Sequence, residues 1–203
     1  MKIKKWEIYI AIVLAIFVGA YIFVDSISKE QNELSDKLIR MHVVANSDSS
    51  DDQELKLEVR DSVNKYLEKH IKDCNEKCSA EDAIKIHLNE IKNVAQNTIC
   101  GNGYDYNVNV SLTDEYFPTR EYDNFSLPAG KYTSLRITIG EGNGKNWWCV
   151  VFPPLCTSAV TDETLTELAF TEEEIKFITS DDTNVIFKFK ILELINIIKT
   201  SLK

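Results

Sequence analysis

The chain has 203 residues, 44% of them hydrophobic, with 23 Lys and Arg against 32 Asp and Glu for a formal charge of −9. That composition fits one globular domain with an appendage, and 7 Gly and 4 Pro exclude a collagenous or Pro/Gly-rich disordered chain. A nucleic-acid ligand is excluded as well, because polyphosphate binding needs a cationic face and no basic cluster follows the first five residues.

Lys2, Lys4 and Lys5 precede an uncharged run from Ile8 to Val24. As a helix, these 17 residues reach about 26 Å, short for a hydrocarbon core and long for a cleavable signal. Val18-Gly19-Ala20 has the small-residue spacing of a cleavage site, while Tyr21 to Val24 prolong the run as an anchor would, so residues 1–24 are either a signal peptide or a signal-anchor. In both cases the basic flank keeps the N-terminus inside and exports everything beyond Asp25. Lys2, Lys4, Lys5 and Glu7 together carry +2, which leaves the exported part at −11. Such a body is not expected to cling to anionic lipid, so membrane attachment is expected through the N-terminal helix or a protein partner.

Residues 25–36 are polar and read as a stalk, and 37–203 as a single exported domain. Leu38 to Ala45 alternates as a strand with Arg40 and His42 on one face. Asn46 to Ser50 is a turn and cap cluster. Ser50 with Gln53 fits a capping box for a helix from about 51 to 71, whose stripe is Leu55, Val59, Val63, Tyr66, Leu67 and Ile71. A second helix is expected from Ser79 to Cys100-Gly101. The period then changes to two. Tyr104 to Leu112 predicts a half-wet strand, and Leu135-Ile139 and Trp147-Phe152 predict two more, joined as a hairpin through Gly140-x-Gly142-x-Gly144. After Pro153-Pro154 comes an acidic stretch to Ile175, then a strand-like Val185 to Phe189 and a helix to Leu202. The sum is α+β, a mostly antiparallel sheet with helices packed on one face.

Five cysteines leave at least one thiol without an intramolecular partner. Cys149 and Cys156 bracket the Pro-Pro turn and are the candidate disulfide, a bridge contributing about 2 to 3 kcal/mol on loop entropy. Cys74, Cys78 and Cys100 leave several pairings open. His70, Cys74, Cys78 and His87 do not have the spacing of a zinc site, and exposed helix residues are the simpler account, so no metal is expected. An exported Cys/His- or metal-dependent hydrolase acting on cell-wall peptide or protein is the rival reading, with His42 near Asp48. Its weakness is the nucleophile, since Cys149 lies in an apolar strand where burial keeps a thiol inert. No nucleophile elbow, zinc-protease helix, P-loop or dinucleotide fingerprint is present. No cofactor and no small-molecule substrate are expected.

His42-Val-Val-Ala-Asn-Ser-Asp-Ser-Ser-Asp-Asp-Gln-Glu-Leu-Lys-Leu-Glu-Val-Arg-Asp61, Leu127-Pro-Ala-Gly-Lys-Tyr132 and Gly140 to Cys156 resemble the stage II sporulation protein R family of endospore formers, and Val185 to Glu193 resembles its C-terminal part. The resemblance implies a protein that is made in the forespore and exported across its membrane into the intermembrane space. There it would activate a membrane-embedded aspartic protease of the mother cell that matures a sporulation sigma factor, and it would not be an enzyme itself. Cys74, Cys78 and Cys100 lie outside the family strings. The expected partner surface combines Arg40, His42, Asn46, Ser47, Asp48 and Arg60 with Trp147 and Trp148, since aromatic and arginine anchors beside polar loops are the usual make-up of interface hot spots.

Overall fold

This computed structural model describes residues 4–122, 124–155, 170–179 and 183–201. The long helix α1 (Lys5–Ser35) leads into β1 (Ile39–Val44), followed by α2 (Ser50–Ile71), α3 (Lys77–Ile86) and α4 (Leu88–Gly101). Then come β2 (Val108–Phe117), the short β3 (Arg120–Glu121) and β4 (Ser126–Leu127), β5 (Gly130–Ile139), β6 (Asn146–Phe152), α5 (Glu172–Thr179) and α6 (Thr183–Ser201). The main sheet has the order β2-β5-β1-β6. β1 runs parallel to β5 and antiparallel to β6, and the β2–β5 and β3–β4 pairs are antiparallel. The fold is thus α+β with a mostly antiparallel sheet.

Period two decides which side chains go where. Ile39, Met41 and Val43 join Leu135, Ile137, Ile139, Cys149 and Val151 on the face covered by Leu55, Val59, Val63 and Leu67 of α2 and Ile91, Ala95 and Ile99 of α4. The opposite parity of the same strands carries Leu38, Phe117, Tyr132 and Val150, which cluster with Leu34 of α1, Ile175, Phe177 and Ile178 of α5 and Phe189 of α6.

Helix α1 does not stop where its apolar run ends. From Trp6 to Phe23 its large apolar side chains are exposed, whereas Ile27 and Leu34 are buried. The polar residues read as a stalk are therefore its last three turns, docked on the second cluster and tied to α6 by Lys188 and Glu30. By length and composition the helix can cross a membrane.

Several expected boundaries shift, each for a local reason. Ser49, not Ser50, caps α2, its hydroxyl accepting from the Asp52 N–H, while the Gln53 amide instead donates to the Ser47 carbonyl at 2.8 Å. The expected single helix from 79 to 101 starts at Lys77 and breaks at His87, whose ring bonds the Tyr66 hydroxyl at 3.1 Å and lies 4.5 Å from the His70 ring. β2 starts four residues late because Gln96 of α4 bonds the Tyr106 carbonyl and the Val108 N–H, filling the places of a ladder partner. The strand-like Val185–Phe189 is helical. Wound at 3.6 residues per turn, Val185, Phe189 and Leu192 fall on one side, and Phe189 and Leu192 are buried there.

The expected hairpin of β5 and β6 is absent, because β1 lies between them. The Gly-rich segment crosses the end of β1, a gap of about 10 Å between next-nearest strands. On the way the Asn143 N–H donates to the Asn46 carbonyl and the Gly144 N–H to the Ala45 carbonyl. Gly140 and Gly142 adopt φ of 54° and 65°, and a Cβ on Gly144 would overlap the Ser47 carbonyl.

Candidate functional site

β1 is buried along its whole length, yet it carries an arginine and a histidine on its second face. Burial of such groups is costly unless partners are arranged around them. For His42 the partners are complete. Its Nδ1 lies 3.2 Å from Glu115 Oε2 on β2 and its Nε2 2.8 Å from Asn146 Oδ1 on β6. The ring stacks on Trp148 at 3.8 Å, and Phe117 meets it edge-on. Glu115 is held from the far side by Arg136, with Nη1 at 2.6 Å. Burial alone would raise the Glu115 carboxyl, but hydrogen bonds from His42 and Arg136 and the charge of His42 outweigh it and hold the group at about 2.

Arg40 is satisfied differently. It is fully buried, and its guanidinium lies over the rings of Phe117 and Tyr132 at 4.2 and 4.9 Å. Nη2 donates to the Tyr122 hydroxyl at 2.8 Å, while Nε and Nη1 have no hydrogen-bond acceptor among the described residues. Tyr122 lines a cleft of about 510 Å³ between the β3–β4 ribbon and α6, together with Arg120, Phe189, Lys190 and Glu193. The Arg120 guanidinium sits over Trp148 at 5.6 Å, and Tyr122 links the cleft to Arg40, while Arg120 and Lys190 on the rim are matched by Glu121 and Glu193.

The polar turn after β1 is turned inward. Asn46 Nδ2 donates to Asp52 Oδ2 at 2.9 Å, the Ser47 hydroxyl donates to the same oxygen at 2.5 Å, and Asn46 Oδ1 accepts from the Glu141 N–H. Asp48 Oδ1 accepts from the Lys145 N–H at 2.7 Å, and Lys56 Nζ donates to the Lys145 carbonyl. Burial would raise the Asp52 carboxyl, yet the hydrogen bonds from Ser47 and Asn46 lower it; burial lowers the Lys56 ammonium, with the charge of Asp48 opposing. These groups clamp the Gly-rich crossing onto α2. Trp147, by contrast, is 37% exposed, and the Arg60 guanidinium covers its ring at 4.4 Å while also pairing with Asp61. The expected partner residues thus fall into three places. Arg40, His42 and Trp148 lie on the second face of the sheet, Asn46, Ser47 and Asp48 in the clamp, and Arg60 with Trp147 on the surface beside it.

Residues that sequence reasoning did not single out are Glu115, Tyr122, Arg136 and Asn146. Glu115 lies beyond the end assigned to its strand; continuing the alternation of Asn109 and Ser111 to residue 115 places it on the face of His42. Cys149 is disulfide-bonded, and Cys156, its expected partner, lies outside the described residues. Cys74, Cys78 and Cys100 are free thiols. Among the described residues no group of three or more His, Cys, Asp and Glu side chains could hold a metal ion.

The sequence model for stage II sporulation protein R matches residues 35–162, which include every residue of this site from β1 to β6. The chain belongs to that family. Stage II sporulation protein R of Bacillus subtilis strain 168 is 39% identical over 159 residues, covering 75% of this chain and 71% of the relative. No solved structure matches. The stage II sporulation protein R match ends before α5 and α6, so the wall of the cleft that α6 provides lies outside the matched part.

Proposed function

We propose that this chain is an exported intercellular signal of sporulation, anchored or released by its N-terminal helix. By contact it switches on a membrane-embedded aspartic protease of the mother cell, which then matures a sigma-factor precursor. Family membership supports the sporulation role, and the exposed apolar run of α1 supports export. The observation that carries action by contact is the state of His42. Both of its ring nitrogens face oxygen atoms and one ring face is stacked on Trp148, so it has no position from which to take a proton from a substrate. The thiol nearest in sequence to that face, Cys149, points to the opposite side of the sheet and is consumed in a disulfide. A Cys/His hydrolase would need both groups free and facing each other.

A ligand activates by binding the active arrangement of its partner better than the resting one, and tenfold activation corresponds to about 1.4 kcal/mol of difference. The surface pair Arg60 and Trp147 and the rim residue Arg120 supply contacts of that size. The test is co-expression of the chain, the protease and the precursor in a host that does not sporulate. Arg60→Glu and Trp147→Ala are expected to lower precursor conversion at unchanged protein level. Conversion in the absence of the protease would overturn the reading.

A further inference from the structure

Helix α6 is apolar on two sides. Phe189 and Leu192 are buried on one. On the other, Ile186, Phe187, Leu194 and Ile198 are 52%, 59%, 57% and 49% exposed. At 100° per residue these four occupy an arc of about 120°, with Lys190 inside it turned toward Glu193 at 3.0 Å. A helix of this kind belongs in apolar surroundings on both sides.

Its position indicates what the second side meets. Lys188 Nζ binds both carboxylate oxygens of Glu30, at 3.0 and 2.7 Å, so α6 is held against α1 six residues past Val24, where the apolar run ends. Six residues of helix rise about 9 Å. The headgroup layer of one leaflet is roughly 5–8 Å deep, and surface helices sink their apolar face about 5–10 Å into that boundary. With a diameter of about 10–12 Å, a helix held at that level reaches the lipid. The charge agrees. Lys188, Lys190 and Lys199 against Glu193 give α6 a net +2 within an exported part of −11. The body as a whole is repelled by an anionic surface, whereas α6 keeps an excess of +1 even with Lys188 matched to Glu30.

We propose that α6 lies on the outer face of the membrane that α1 spans, with Phe187, Leu194 and Ile198 in the lipid and its uncompensated positive charge at the anionic headgroups. The inference rests on the anchor reading of α1. Attachment at two helices fixes the tilt of the domain, and with it the height at which the cleft is presented.

The full chain is reconstituted in phosphatidylcholine vesicles with and without 30% phosphatidylglycerol. Photoreactive benzoylphenylalanine replaces Phe187, Leu194 or, as a control on α3, the exposed Ile86. Flotation with the vesicles reports insertion of α1. The expected result is flotation of all three, with lipid adducts at 187 and 194 at least tenfold above those at 86. Flotation with adducts at 187 and 194 no higher than at 86, or with cross-links to a second copy or another protein instead of lipid, overturns the proposal and leaves the anchor standing. A chain that does not float ends both. Hydrogen exchange on the unmodified chain covers failure of a variant to fold. Amides of 183–201 should exchange at least tenfold more slowly with phosphatidylglycerol than without it while α2 is unchanged, and equal rates in α6 contradict docking.

Discussion

Replacing Glu115 by Gln tests how the buried His42 of β1 is tolerated. Against the effect of burial, hydrogen bonds from His42 and Arg136 hold the Glu115 carboxyl at about 2 in the folded chain against 4.5 ordinarily. At 1.36 kcal/mol per unit, this corresponds to about 3 kcal/mol, and the side chain is only 15% exposed, so little of it is lost to solvent screening. The sign follows from linkage. A depressed acid stabilises the fold fully above its unfolded value of 4.5, and that contribution disappears as pH falls toward 2. Gln keeps the shape and one acceptor but not the charge. At pH 7 the variant should lose about 2–3 kcal/mol, or roughly 6–10 °C in Tm for a chain of this size. The assay is thermal unfolding of the full chain in non-ionic detergent followed by near-UV circular dichroism, from pH 7 down to pH 2. The two proteins should converge as pH approaches 2. A Tm within 1 °C of the parent at pH 7, or a deficit that persists undiminished at pH 2, would refute the electrostatic account.

Arg40→Met should unfold within about 1 kcal/mol of the parent or above it in the same assay, because it removes a buried cation whose Nε and Nη1 have no hydrogen-bond acceptor among the described residues and keeps the volume between Phe117 and Tyr132, whereas Arg40→Ala should cost about 3 kcal/mol. Gly144→Ala places a methyl group against the Ser47 carbonyl, backbone that cannot swing aside, and should lose about 1–3 kcal/mol by thermal unfolding. Alkylation of the folded, unreduced chain followed by mass spectrometry should label Cys78 and Cys100 rapidly, Cys74 more slowly, and Cys149 only after reduction and unfolding.

What was legible in the sequence is what depends on local periodicity. The stripe of α2 and the alternation of β1 and β5 repeat over enough residues to fix which side chains face the core, and the apolar N-terminal helix declares itself by an unbroken run. What was not legible depends on partners distant in the chain. Alternation says that β5 and β6 are strands but not that β1 lies between them, since a Gly-rich crossing of one strand looks like a hairpin turn. Val185 to Phe189 satisfies both periods, and only the second core beneath it selects the helix. Arg40 and His42 were placed on the correct face, but Glu115 and Tyr122, 73 and 82 residues away, complete their environment through sheet pairing that no spacing announces. The Asn46-Ser47-Asp48 turn reads as an open polar loop and is instead spent on Asp52, Glu141 and Lys145.

The central claim, that the chain acts by touching a protease and performs no cleavage itself, is tested most directly in membranes that hold the protease and its sigma-factor precursor, with the purified chain added on the side to which its export is proposed. Conversion should require the chain and vanish when the catalytic aspartates of the protease are replaced. Conversion that continues with the aspartates removed would place the chemistry in this chain and contradict the account.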